Sequence, residues 1–130
     1  MKCLSVQQPW AWAIIHGPKR IENRSRPFSH RGPLLIHAGK SRIQLGNYGE
    51  GEPPESQLVF GAIIGIVDVI GCTDFVDLEN RFAEGPFCLL LENPRALANP
   101  IPWKGQLGLF EVPDALFLEN LNDDPAIFMA

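Results

Sequence analysis

The sequence predicts an α+β fold, a small mixed β-barrel with short flanking helices. Three observations predict it. The 130 residues are near the commonest size of one domain and, at 45% hydrophobic, suffice for a single core. The twelve Gly and twelve Pro are spread along the chain, which suits short strands joined by tight turns more than a helical bundle. The run Phe60 to Cys72 is rich in Ile and Val without alternation, the pattern of a strand covered on both faces or closed into a barrel.

The elements follow in order. Cys3 to Val6 reads as a short strand. Pro9 to about His16 reads as a two-turn helix, with Trp10 above Ile14 and Ala11 above Ile15, stopped by Gly17-Pro18. So short a helix holds only by packing on a sheet. Lys19 to Ser25 is extended, 26–31 a polar loop, and Leu34 to Ala38 a strand after the Gly32-Pro33 turn. From 39 to 56 the pattern dissolves into loop, and its glycines lack the strand-before, helix-after setting of a phosphate cradle. After the Phe60 to Cys72 strand, 74–84 is a short helix or irregular connection. Phe87 to Glu92 is a strand that ends at Asn93-Pro94, and Gln106 to Val112 is the last one. The tail, 113–130, packs an apolar stripe (Leu116, Phe117, Leu118, Leu121) on the barrel and trails off near Asp123 and Asp124. Residues 1–130 form one domain.

Composition bounds the function. Three widely spaced cysteines, Cys3, Cys72 and Cys88, give no disulfide framework and read as small buried hydrophobes of a reducing compartment, so the cytoplasm is expected. Leu58 to Cys72, the longest apolar stretch, holds three glycines and Asp68 and is shorter than the roughly 20 residues of a spanning helix. Neither a membrane span nor a secretory signal is expected. The net charge of −4 hides a split: residues 1–42 carry eight basic side chains against the single acid Glu22, a net +7, and 43–130 carry three against fourteen acids, a net −11. A fold that gathers the first segment on one face would be bipolar.

The chemistry concentrates in Gly17-Pro18-Lys19-Arg20-Ile21-Glu22-Asn23-Arg24, which reads G-x-K-x-x-E-x-R. On an extended segment Glu22 and Arg24 project to the same side and can orient each other by a charge-assisted pair. Lys19, of opposite parity, can join them from the loop-to-strand junction after Gly17-Pro18. Such a cluster at a barrel mouth suits a phosphate or the polar edge of a base, Glu22 accepting from an amino group and Arg24 donating. Trp10 is a candidate stacking face for an unpaired base, ahead of Trp12. Arg26, Arg31, Lys40 and Arg42 extend the positive face as candidates for phosphate contact. His37, inside an apolar strand, is either a buried, hydrogen-bonded histidine or a ligand contact. The cysteines and histidines show no metal-ligand pairing, so neither a metal nor a cofactor is expected.

The ordered set Leu4-Ser5-x-x-Gln8-Pro9-Trp10, the G-x-K-x-x-E-x-R motif, Arg31 to Ala38, Gly61 to Val69, Asn93-Pro94 and Lys104 to Phe110 resembles the ASCH family, a branch of the PUA-like superfamily of small β-barrels. The resemblance implies a nucleic-acid or nucleotide binding module with its cleft around Lys19, Glu22 and Arg24, RNA-related, taking RNA, DNA or a modified nucleoside. A monomer is the default. It also implies a rival: one branch resembles a small amidohydrolase acting on acylated cytosine derivatives, in which a motif lysine works with a threonine and a downstream glutamate. Lys19 matches that lysine, but Glu22 stands where the threonine would be, and the downstream acid is Asp68 or Glu79. As a hydrolase, amidohydrolase or ribonuclease, the chain would use Lys19 and Glu22 as its catalytic pair. A protein-binding adaptor using the tail after Pro113 is the third reading.

Overall fold

The computed structural model describes residues 1–116 and the backbone of 128–129. Its elements are β1 (Lys2–Val6), α1 (Trp10–Ile15), β2 (Ile21–Arg24), β3 (Gly32–Ala38), a 3-10 turn at Glu55–Gln57, β4 (Ala62–Thr73), β5 (Phe87–Pro102), β6 (Leu109–Glu111) and β7 (Phe128–Met129). They build one mixed, curled sheet in the order β2-β5-β4-β3-β1-β6, with β7 laid on β5. β1 and β3 run parallel, with Cys3 opposite Leu35 and Ser5 opposite His37; the other pairings are antiparallel. The chain forms the expected small α+β fold, its mixed sheet curled into a half-barrel.

Both faces of the sheet are buried, as the unalternating run in β4 predicts. Leu4, Val6, Leu34, Ile36, Ile64, Val67 and Val69 share one core with Ala11, Ile14 and Ile15 of α1. The residues between them, Cys3, Leu35, Ile63 and Ile66, join Leu97, Ile101, Phe110 and Val112 in a second core. The helix sits close because β4 offers Gly65 beneath it: a Cβ there would lie 2.8 Å from Ile15 Cδ1 and 2.7 Å from the Arg95 carbonyl. Gln8, itself buried, closes the helix start by accepting from the Trp12 N–H (2.8 Å) and donating to the Val59 carbonyl (2.9 Å). Arg20 closes its other end on the carbonyls of Ile14 (3.2 Å) and Gly17 (2.9 Å).

The strand expected to stop at Asn93-Pro94 instead runs on to Pro102. Between Glu92, opposite Asp68, and Arg95, opposite Ile66, two residues of β5 face one of β4, and Asn93 takes φ 54°. Between Ala96 and Ile101 four residues of β5 face one of β4. Pro94 and Pro100 therefore sit in bulges, where a missing N–H breaks no ladder bond. The last strand is shorter than expected, Leu109–Glu111 alone, and 74–84 is an irregular connection. Cys3 and Cys88 are buried thiols, and Cys72 is only half-buried. Burial pushes the Cys3 thiol up to about 12. Leu116 packs on the second core; the expectations for Phe117, Leu118, Leu121, Asp123 and Asp124 lie outside the described residues. Among the described residues no helix is long and apolar enough to cross a membrane.

Candidate functional site

The turn after α1 brings Lys19 beneath the sheet rather than into solvent: its backbone N–H donates to the Ala13 carbonyl at 3.0 Å, and the side chain is 3% exposed. Gly17 permits this approach, since a Cβ there would meet the Ala13 carbonyl oxygen at 3.0 Å. A buried ammonium requires partners. Lys19 Nζ donates to the Ile21 carbonyl and to Glu22 Oε1 (2.9 Å), and Arg24 Nη1 stands 3.8 Å from Glu22 Oε2. Glu22 thus joins both cations, and the three motif side chains converge as their types predict. Lys19 keeps one N–H with no partner among the described residues.

They open on a cleft of about 400 Å³ that Trp10, Asn23, Gln44, Arg81, Phe82 and Glu84 also line. Asn23 makes the far wall. Its Nδ2 donates to the Phe82 carbonyl (2.7 Å), and its Oδ1 accepts from the backbone N–H groups of Glu84 (2.8 Å) and Gly85 (2.9 Å). One short polar side chain on β2 thereby fastens the irregular 74–84 connection to the site. The aromatic wall is built the same way, from distant pieces. Tyr48 stacks on Phe82 (6.2 Å between centroids, 26°) and meets Trp12 edge-on (5.1 Å), and Trp10 packs against both Phe82 and Tyr48. Arg81 covers the Tyr48 and Phe82 rings at 4.6 and 4.7 Å. The loop that carries Tyr48 is braced from within, Glu52 accepting from the N–H groups of Gly46 (2.7 Å) and Tyr48 (3.1 Å).

The remaining sequence candidates lie elsewhere. Arg26 is exposed and does not line the cleft. Arg31 is spent on the carbonyls of Phe28 and His30, both at 2.9 Å. His37 is buried, held between Ser5 Oγ (2.9 Å from Nδ1) and the Trp103 carbonyl (2.6 Å from Nε2). Desolvation pulls its pKa below the ordinary histidine value. His37 and Lys40 line a second groove, separate from the cleft. Several basic residues of 1–42 are opposed by acids: Lys2 pairs with Glu111 at 2.8 Å, Lys19 with Glu22, and Arg42 with Glu55. Neither downstream acid of the hydrolase reading reaches Lys19. Asp68 is tied to Arg95 (2.9 Å) and Glu79 is exposed outside the cleft; Glu84 lines it instead.

Sequence reasoning missed Asn23, Gln44, Tyr48, Arg81, Phe82 and Glu84. For Arg81 there was a signal. It is one of three basic residues after position 42, alone in an acidic stretch and next to an aromatic ring.

Comparison with known proteins agrees with this fold. The profile of the ASCH domain matches residues 4–108. Activating signal cointegrator 1 of Homo sapiens is 31% identical over 120 residues, covering 79% of this chain and 21% of that protein, and its Mus musculus counterpart is 30% identical with the same coverage. The chain thus spans about a fifth of the length of these curated relatives. Among solved structures, ASCH from Zymomonas mobilis superposes with a TM-score of 0.59 at 15% identity, covering 93% of both chains. A tyrosine-to-phenylalanine variant of that protein gives 0.58 at 15%, over 93% of this chain and 96% of that one.

Proposed function

The chain belongs to the ASCH domain family, and from that premise we propose that it is a nucleic-acid binding module whose cleft takes one unpaired base of a single-stranded RNA. One observation carries the reading: Glu22 is held between Lys19 and Arg24 in a cleft that Trp10 and Phe82 also line. Two cations alone would suit any anion. A fixed carboxylate among them adds an acceptor, which suits the donor and acceptor edge of a base. The half-buried Trp10 at the cleft is the ring that would supply the stacking that single-stranded RNA recognition uses. The volume is at the small end of ligand sites and fits a nucleoside. Related PUA-like barrels bind RNA, which is consistent with this.

The test is fluorescence anisotropy on short single-stranded RNA, with mass spectrometry of the same mixtures and of acylated cytidines. Arg24→Gln is the first variant because its side chain is partly exposed and its loss leaves the Lys19–Glu22 pair in place. Binding by the wild type that weakens about tenfold in Arg24→Gln supports the module. Cleaved RNA or deacylated nucleoside, absent with Lys19→Ala, would make the chain a hydrolase and overturn it. So would wild-type protein that binds none of these probes.

A further inference from the structure

Beside the cleft lies a larger groove of about 720 Å³, and the two share Ser5 as a wall residue. Their chemistry differs. The cleft mixes cations with carboxylates, whereas the groove is lined by Lys40 and Lys104 with no acidic residue. Among the described residues neither lysine has a carboxylate within salt-bridge distance. Two uncompensated ammonium groups in a concavity attract anions.

The floor is shaped for close approach. Gly39, Gly61 and Gly105 all line it, and at Gly105 a side chain would run into the buried His37 ring. A Cβ on Gly61 would lie 2.8 Å from Lys40 Cε, so the lysine stem rests directly on bare backbone. A Cβ on Gly105 would lie 2.9 Å from His37 Cε1 and 3.0 Å from Ser5 Oγ. His37 fixes the segment that carries Lys104. The Trp103 carbonyl can only accept, so Nε2 carries the proton, and Nδ1 accepts from the Ser5 hydroxyl. His37 is thus a positioning residue for Lys104, holding the residue before it against β3.

We propose that this groove seats the backbone phosphate and the following nucleotide of the strand whose base occupies the cleft, with Lys40 and Lys104 as its phosphate contacts. The inference rests on the base-binding reading: Ser5 lines both concavities, so the groove is next to the cleft and within reach of a strand whose base lies there.

The test compares wild type with the double variant Lys40→Ala, Lys104→Ala on a single-stranded RNA octamer and on free nucleosides, at salt concentrations from about 50 to about 200 mM. Both lysines are exposed, so the fold is unaffected and the thermal midpoint serves as control. The double variant should bind the octamer about fivefold or more weakly at low salt. The slope of log affinity against log salt should flatten by about 1.4, which is two single-strand phosphate contacts. Nucleoside affinity should stay unchanged. An octamer slope and affinity equal to wild type would overturn the groove assignment and leave the cleft reading intact. Equal loss for nucleoside and octamer would also overturn it, and a wild type that binds neither probe sinks the cleft reading and this one with it.

Discussion

Asn23 Oδ1 accepts the backbone N–H of Glu84 at 2.8 Å, a bond that joins an edge strand to a loop 61 residues later. With the bonds to Phe82 and Gly85 it makes Asn23 the fastening of the far wall. Asn23→Ala frees two backbone N–H groups and one carbonyl together, at an expected cost of about 2 kcal/mol in urea denaturation. Amide exchange should quicken first at Glu84 and Gly85. A variant with unaltered midpoint and exchange would show that the wall stands without this residue.

The Lys19–Glu22 pair should respond unequally to two changes at one position. Glu22→Ala leaves a buried ammonium with the Ile21 carbonyl as its one remaining partner and should cost about 3 kcal/mol. Glu22→Gln keeps an oxygen for Lys19 and should cost about 1 kcal/mol. Equal losses in chemical denaturation would mean that Lys19 requires the negative charge itself and that a neutral oxygen in its place contributes nothing.

Two glycines in β4 should behave oppositely when replaced by alanine. At Gly65 the new Cβ collides with a backbone oxygen of Arg95 as well as with Ile15, so Gly65→Ala should lose about 2 kcal/mol, and trimming Ile15 to Val should not restore it. At Gly71 the nearest atom is Leu90 Cδ1 at 3.1 Å, the end of a flexible side chain. Gly71→Ala should therefore be neutral or stabilise slightly. Thermal melts of the three variants decide the matter.

His37 gives the fold a dependence on mild acid. Burial keeps its imidazole neutral in the native state, below the ordinary value of 6.5, so the unfolded chain takes up this proton first as pH falls. Its contribution is complete above about 6.5 and is lost from there down through the lowered native value. The slope from this one group is at most about 1.4 kcal/mol per pH unit. His37→Gln should be less stable at pH 7.5 yet flatter between pH 6.5 and 5. Parallel curves for variant and wild type would place the acid sensitivity elsewhere.

Much of this architecture is legible in the sequence because its determinants are local. β1, α1, β2 and β3 fall within about two residues of their expected bounds, each marked by its own apolar pattern and turn residues. Lys19, Glu22 and Arg24 meet because six residues contain them all. β5 reads short because Pro94 ordinarily ends a strand, and only its pairing with β4 reveals the bulges that accommodate it. The rest of the cleft is equally non-local. Tyr48 sits in a loop without periodicity, and the partners of Asn23 lie about sixty residues away, so nothing in their own neighbourhoods announces them.

An outermost strand leaves alternate amides and carbonyls unclaimed, a template on which another chain can grow. β2 occupies that position beside β5, and it is four residues long with two of them charged. The carboxylate and guanidinium that furnish the cleft therefore also defend the sheet margin against strand addition. A double variant stripped of Glu22 and Arg24 would lose more than a ligand. Its bare margin would invite self-association, and solubility would decline before affinity could be measured.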